Sequence, residues 1–269
     1  MSRSKAMSRA GLASALALVM MGAAGCGGGG TPSSAAQPTS HKPTVRPTVG
    51  SQCPSDWQDK GKQVWFEDAK GVSLGGIELG TGTTGIVLSH QAGRDACSWM
   101  PYAKELADAG YRVVAYDFAG SGVSDEPSDD DTMDANVLGA VAFLRKEGAT
   151  TIVLMGESMG AAASIVAGTE ASPKVAGVVS LSSPQQYHDQ NAIGAAKQLS
   201  VPVLYIAGSD DPGFAGQAQS LYNATPGTAK AVVIVDSVRH GSPLLAKDAP
   251  EAAKARAAVT DFLNANAKV

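Results

Sequence analysis

Residues 156–160 read Gly-Glu-Ser-Met-Gly, a G-x-S-x-G pentapeptide set between the apolar run Thr151-Ile-Val-Leu-Met155 and the small-residue run Ala161-Ala-Ala-Ser-Ile-Val166. A buried strand, a sharp turn and a helix follow one another there. A serine hydroxyl becomes a nucleophile only when such a turn lifts it clear of the backbone, and the two glycines leave room where side chains would collide. The pentapeptide alone arises by chance in a Gly- and Ala-rich chain. Its placement between a strand pattern and a helix pattern is what makes Ser158 the first candidate for chemistry.

The N-terminus carries Arg3, Lys5 and Arg9, then the apolar stretch 10–24, then small residues before Cys26. That is the layout of a secretory signal peptide over residues 1–25, too short for a spanning helix. The boundary resembles the lipobox of bacterial lipoproteins, in which the cysteine is acylated and becomes the mature N-terminus. This chain has Ala23 where that motif usually has Leu. From Cys26 to residue 51 Gly, Pro, Ser and Thr dominate without apolar periodicity, so the expectation is a disordered tether, and His41 within it is no catalytic candidate. The expected product is exported and held on the outer face of the cell membrane by lipid on Cys26, or else secreted. With Cys26 taken by lipid, Cys53 and Cys97 remain as a pair, and an exported domain favours their oxidation to a disulfide. Such a bond contributes on the order of 3–4 kcal/mol.

Residues 52–269 form the expected folded domain. The 44% hydrophobic content supports a core, and a net charge of −4 with scattered Lys and Arg gives no footprint for nucleic acid. Short apolar runs at 64–66, 72–79, 84–89, 111–118, 151–155, 175–181, 201–207 and 231–235 alternate with amphipathic or Ala-rich segments at 101–109, 132–147, 159–169 and 251–265. The pattern predicts an α/β domain with about eight strands, mostly parallel, covered by helices on both faces.

A serine needs a general base and a carboxylate to orient that base. In a parallel sheet functional groups gather at the carboxyl ends of strands, which selects His240 after the last strand and Asp211, or alternatively Asp210, after Tyr205-Ile-Ala207. His188 lies in a polar connection, and His90 follows the first core strand. The chain order Ser158, Asp211, His240 is that of α/β-hydrolases. From about residue 62 to 266 the chain resembles a compact bacterial α/β-hydrolase of the esterase-like type. The resemblance implies an acid three residues after the glycine closing its strand, which from Gly208 is Asp211. It implies backbone N–H donors for an oxyanion from Met159 and from the loop Ser89-His-Gln-Ala-Gly93, with Ala92 the donor by position and Gln91, standing where the family often has Gly, its neighbouring candidate. His90 then shapes that loop, and Asp117-Phe-Ala-Gly-Ser-Gly-Val-Ser124 resembles the D-x-x-G-x-G-x-S turn of such hydrolases, a structural element.

Asp129-Asp-Asp131 reads as a solvated helix start, not a metal site. No metal or organic cofactor is expected. Residues 182–199 suffice for a connecting helix and not for a cap, so the expectation is an open site for small or surface-presented acyl esters. The same three residues would also serve an acyltransferase or peptidase, and a binding lipoprotein on a hydrolase scaffold is the non-catalytic alternative.

Overall fold

The computed structural model describes residues 46–269. The expected signal peptide, Cys26, His41 and the tether as far as residue 45 lie outside the described residues. The elements in chain order are α1 (Val49–Gln52), β1 (Lys62–Glu67), β2 (Ser73–Leu79), β3 (Thr84–Ser89), α2 (Met100–Asp108), β4 (Arg112–Tyr116), α3 (Met133–Lys146), β5 (Thr151–Glu157), α4 (Met159–Glu170), β6 (Gly177–Leu181), α5 (Ala192–Ala196), β7 (Val203–Gly208), α6 (Phe214–Ala224), β8 (Lys230–Val235) and α7 (Ala252–Asn266).

The eight strands form one sheet in the order β1-β2-β4-β3-β5-β6-β7-β8. β1 and β2 are a hairpin, β2 pairs antiparallel with β4, and every later pairing is parallel. The parallel strands read as continuous apolar runs because both faces are covered. Successive residues of β3 show this: Val87 joins the core formed with α3, α4 and α6, while Ile86 and Leu88 join the core formed with α2 and α7. The chain moves outward from β3 to β4 and then returns to β5 on the other side of β3. That reversal opens a crevice at the carboxyl ends of the strands, where ligands of such sheets bind. No described helix is long and apolar enough to cross a membrane.

One boundary needs correction. Residues 46–51, assigned to the tether on composition, pack on the domain: Val49 is buried, the Gly50 N–H donates to Gln63 Oε1, and the Arg46 guanidinium lies 3.5 Å from the centre of the Trp65 ring and pairs with Asp125. A four-residue helix leaves too little periodicity to separate it from the polar tract before it. Cys53, which follows α1, is bonded to Cys97 with a Cα–Cα distance of 5.3 Å, as expected.

Candidate active site

β5 ends at Glu157 and α4 begins at Met159, so Ser158 alone makes the turn. Its backbone lies at φ 50°, ψ −114°, a strained conformation for a residue with a side chain. Sterics explain the flanking glycines. A Cβ on Gly156 would overlap the Gly160 carbonyl and stand 2.6 Å from the Ala161 nitrogen, and one on Gly160 would overlap the Ser89 carbonyl and stand 2.6 Å from the His90 oxygen. The elbow is therefore pressed against the end of β3, and the Ser158 N–H is anchored on the Leu181 carbonyl at 2.8 Å. Ser158 is partly exposed, and its hydroxyl does not cap α4.

Beyond β7, Asp211 is buried and its Oδ2 accepts from His240 Nδ1 at 2.8 Å. Asp210, the alternative acid, is exposed and takes the Ser209 hydroxyl instead. The structure thus joins His240 to Asp211. Phe214, at the start of α6, packs edge-on against the imidazole with ring centres 4.4 Å apart, so the ring is held from two sides. With Nδ1–H committed to the carboxylate, Nε2 keeps its lone pair. His240 comes to the elbow through its neighbours: a Cβ on Gly241 would lie 2.5 Å from Glu157 Oε2, and the Ser242 N–H donates to that same oxygen at 2.7 Å. No hydrogen bond joins Ser158 Oγ to His240 among the described residues. Such bonds are commonly long in unliganded enzymes and tighten with substrate.

The loop after β3 is organised by His90, which is fully buried. Its Nε2 accepts from the Phe118 N–H at 3.1 Å, so Nδ1 carries the proton and donates to the Gln91 carbonyl at 2.8 Å. The Arg94 N–H also reaches that carbonyl, closing a turn with Gly93 at φ 69°. A trans peptide places C=O and N–H on opposite sides. With the Gln91 carbonyl turned inward to His90, the N–H of the same peptide, which belongs to Ala92, points outward. The amides of Ala92 and Met159 have no backbone acceptor among the described residues.

The 117–124 turn is structural. Asp117 accepts from the Ala96 and Val123 amides and from Gln52 Nε2, and burial pushes its carboxyl above the usual range. Asp131 departs from the expected solvated helix start. It shares the Asn136 amide with buried Asp68, and burial followed by the Asp68 carboxyl raises it to about 6. A helix start reads as solvated from composition because its tertiary neighbours are invisible there. Among the described residues no group of three or more His, Cys, Asp or Glu is placed to hold a metal. Beside Met159 a cavity of about 380 Å³ opens between the loops after β4 and β6, walled by Phe118, Met133 and Tyr187, with Asp131 and Asp189 also in its lining.

Residues 85–200 match the family model described as alpha/beta hydrolase fold. Among solved structures the chain is similar to an esterase of Pyrococcus furiosus (TM-score 0.63, 18% identity, 77% of this chain and 90% of that one). An enol-lactonase of Burkholderia xenovorans gives a TM-score of 0.59 at 18% identity over 75% of this chain and 100% of its own. The chain has the α/β-hydrolase fold. As an α/β-hydrolase fold it closes its sheet with the antiparallel β1–β2 pair and carries only the five-residue α5 as a helix between β6 and β7. In this fold the elbow, the acid–histidine pair and the His90 loop all stand at the carboxyl edge of the sheet. A sequence relative is epoxide hydrolase A of Mycobacterium tuberculosis, 36% identical over 120 residues, 44% of this chain and 37% of that protein. The alignment thus spans little more than a third of the relative's length.

Sequence reasoning missed Glu157. The second position of the pentapeptide accepts many residues, so a fully buried carboxylate there carries no pattern. It also missed α6, whose start positions Phe214 against His240.

Proposed function

We propose that the protein is an exported serine hydrolase that cleaves an acyl ester through an acyl-enzyme on Ser158. The observation that carries this reading is the 2.8 Å His240–Asp211 bond, made on a loop that contacts the residue preceding a strained Ser158. His240 Nε2 takes the hydroxyl proton as Oγ bonds to the carbonyl carbon, and the carbonyl electrons move onto oxygen. The Ala92 and Met159 N–H groups stabilise that oxyanion. The tetrahedral adduct collapses as the ester C–O bond breaks, and His240 returns the proton to the leaving alcohol. Water then gives a proton to Nε2 as it attacks the acyl-serine, and the second adduct collapses to the acid as Nε2 returns that proton to Ser158 Oγ.

The elbow residue also bears on substrate. A serine that opened an epoxide would be left as an alkyl ether, which the second half-reaction cannot hydrolyse. An acyl-serine is an ester, which it can. Carbonyl substrates are therefore favoured over the one named by the sequence relative. The neighbours' names, esterase and enol-lactonase, agree with this, although at 18% identity the likeness carries the fold alone. The cavity beside Met159 has room for a short acyl or alcohol group.

Export and lipid attachment at Cys26 complete the proposal, supported by the Cys53–Cys97 disulfide, a bond that persists in oxidising compartments. A fluorophosphonate probe should label the wild type and not Ser158→Ala, and short p-nitrophenyl esters should be turned over by the wild type alone. An unlabelled wild type that turns over no ester would favour a binding role instead. Palmitate incorporation that survives Cys26→Ser would end the lipoprotein proposal.

A further inference from the structure

The geometry points to Glu157 as a positioning residue that holds the catalytic histidine in place, an inference resting on the serine-hydrolase reading above. Glu157 is fully buried, and the acylation chemistry does not use it. Its two oxygens serve two different segments. Oε2 accepts from the Ser242 N–H at 2.7 Å, and Oε1 accepts from the Ser98 hydroxyl at 3.0 Å. An unpaired carboxylate in the interior is costly, so both partners are held firmly to it.

The consequence for His240 follows from the backbone. Ser242 is two residues beyond the histidine, and Gly241 between them turns at φ 70° with its α-carbon against the carboxylate; a Cβ there would stand 2.5 Å from Oε2. The Gly241 N–H is fixed in turn on Ser182 Oγ at 3.1 Å. The segment leaving His240 is thus tied to the residue that immediately precedes Ser158. Because Glu157 and Ser158 are consecutive, base and nucleophile are referenced to one short piece of backbone. On its other side Glu157 reaches Ser98, the neighbour of Cys97, so the Cys53–Cys97 bond steadies the far end of the same tie.

The charge and the two acceptors can be separated by substitution. Glutamine at 157 can offer its carbonyl to the Ser242 N–H and its NH₂ to Ser98 Oγ, whose own proton then goes to the Asp95 carbonyl, already 2.8 Å away. Alanine offers nothing. With a short p-nitrophenyl ester, Glu157→Ala should lower kcat by roughly 100-fold with KM changed by less than about threefold, the scale expected when a catalytic group is displaced by about 1 Å. Glu157→Gln should recover to within roughly fivefold of the wild type. The downfield proton resonance of the His240 Nδ1–H on Asp211 should broaden away in Glu157→Ala and persist in Glu157→Gln.

Gly241→Ala supplies an independent check through a double-mutant comparison. Its added methyl would stand 2.5 Å from the carboxylate in the wild type, whereas in Glu157→Ala it would meet only the residue-157 Cβ, at 3.1 Å, so its cost in kcat should be several-fold smaller in the alanine background. Full kcat in Glu157→Ala, a histidine resonance unchanged in it, or equal Gly241→Ala costs in both backgrounds would overturn the inference. Should Glu157→Ala not fold, a Gly241→Ala single variant with wild-type kcat and resonance would do the same. A wild type inactive on every ester would instead defeat the hydrolase reading, an outcome the resonance comparison distinguishes.

Discussion

Replacing Asp211 by Asn keeps the volume beside His240 and removes the charge. In the proposed acylation step the imidazole becomes an imidazolium, with Nδ1 held 2.8 Å from a carboxylate oxygen that is almost wholly buried. At an effective dielectric constant of about 20, a pair of unit charges at that separation interacts by about 6 kcal/mol. The interaction exists only once the proton has moved, so it lowers the barrier and not the ground state. At 1.36 kcal/mol per tenfold, kcat should fall by about four powers of ten. The loss of the corresponding carboxylate in a serine protease triad has a similar magnitude. The assay is steady-state hydrolysis of a short p-nitrophenyl ester beside the rate of fluorophosphonate labelling, and both should drop together because both need the activated hydroxyl. Asp210→Asn is the matched control one residue away; its side chain is exposed and bonded only to Ser209, so activity should stay within about twofold. An Asp211→Asn enzyme within tenfold of wild type, or an Asp210→Asn enzyme that loses activity, would refute the assignment.

Removing the disulfide with Cys53→Ala and Cys97→Ala should lower unfolding free energy in urea by about 4 kcal/mol, the chain-entropy figure for a loop closed over 44 residues; a loss below about 1 kcal/mol would mean the denatured chain gains little freedom. Gly160→Ala should abolish probe labelling even where soluble protein is obtained, because the added methyl would strike the backbone of Ser89 and His90; normal labelling would show that elbow and loop do not abut. Asp131 gives a pH test. Its folded carboxyl is raised to about 6, above its unfolded range, so between about pH 4 and 6 the folded state binds more protons than the unfolded one. Stability from this group therefore falls as pH rises through that window, and Asp131→Asn should raise Tm at pH 8 more than at pH 4. A larger gain at the acidic end would reverse the sign and sink the explanation.

The parts of this fold legible in the sequence are those with a local cause. β3, β5, β6 and β7 announce themselves because burial on both faces demands unbroken apolar runs, and the elbow does so because only glycine fits at 156 and 160. Asp211 and His240 could be selected because a parallel sheet sends strand ends to one edge. α1, α6 and the environment of Asp131 were not legible. α1 is too short to show a period, α6 buries only Ala218 and Leu221 fully, and the Asp131–Asn136–Asp68 group joins residues up to 68 apart. Glu157 belongs with these, since its role depends on Ser242, 85 residues further along.

The contrast between His90 and His240 shows why position at the sheet edge is not enough to name a base. Both imidazoles donate from Nδ1, one to the Gln91 carbonyl and the other to Asp211. Both therefore carry a lone pair on Nε2. In His90 that lone pair is occupied by the Phe118 N–H, and the ring has no exposure to solvent. In His240 the side chain keeps 28% of its surface exposed, and the group behind it is a carboxylate able to stabilise a positive charge. A carbonyl behind Nδ1 fixes a tautomer, whereas a carboxylate fixes the tautomer and also favours the proton's arrival at Nε2. His90 is thus committed to shaping the loop after β3, and of these two rings only His240 keeps an Nε2 lone pair free to accept a proton. The prediction follows that His90→Asn, able to accept from Phe118 but not to reach both partners, should slow labelling through a displaced Ala92 amide while retaining much of its turnover, and that His240→Asn should fall by several further powers of ten, to the residual rate that the oxyanion donors alone support. Equal residual rates in the two variants would show that the division of labour is misassigned.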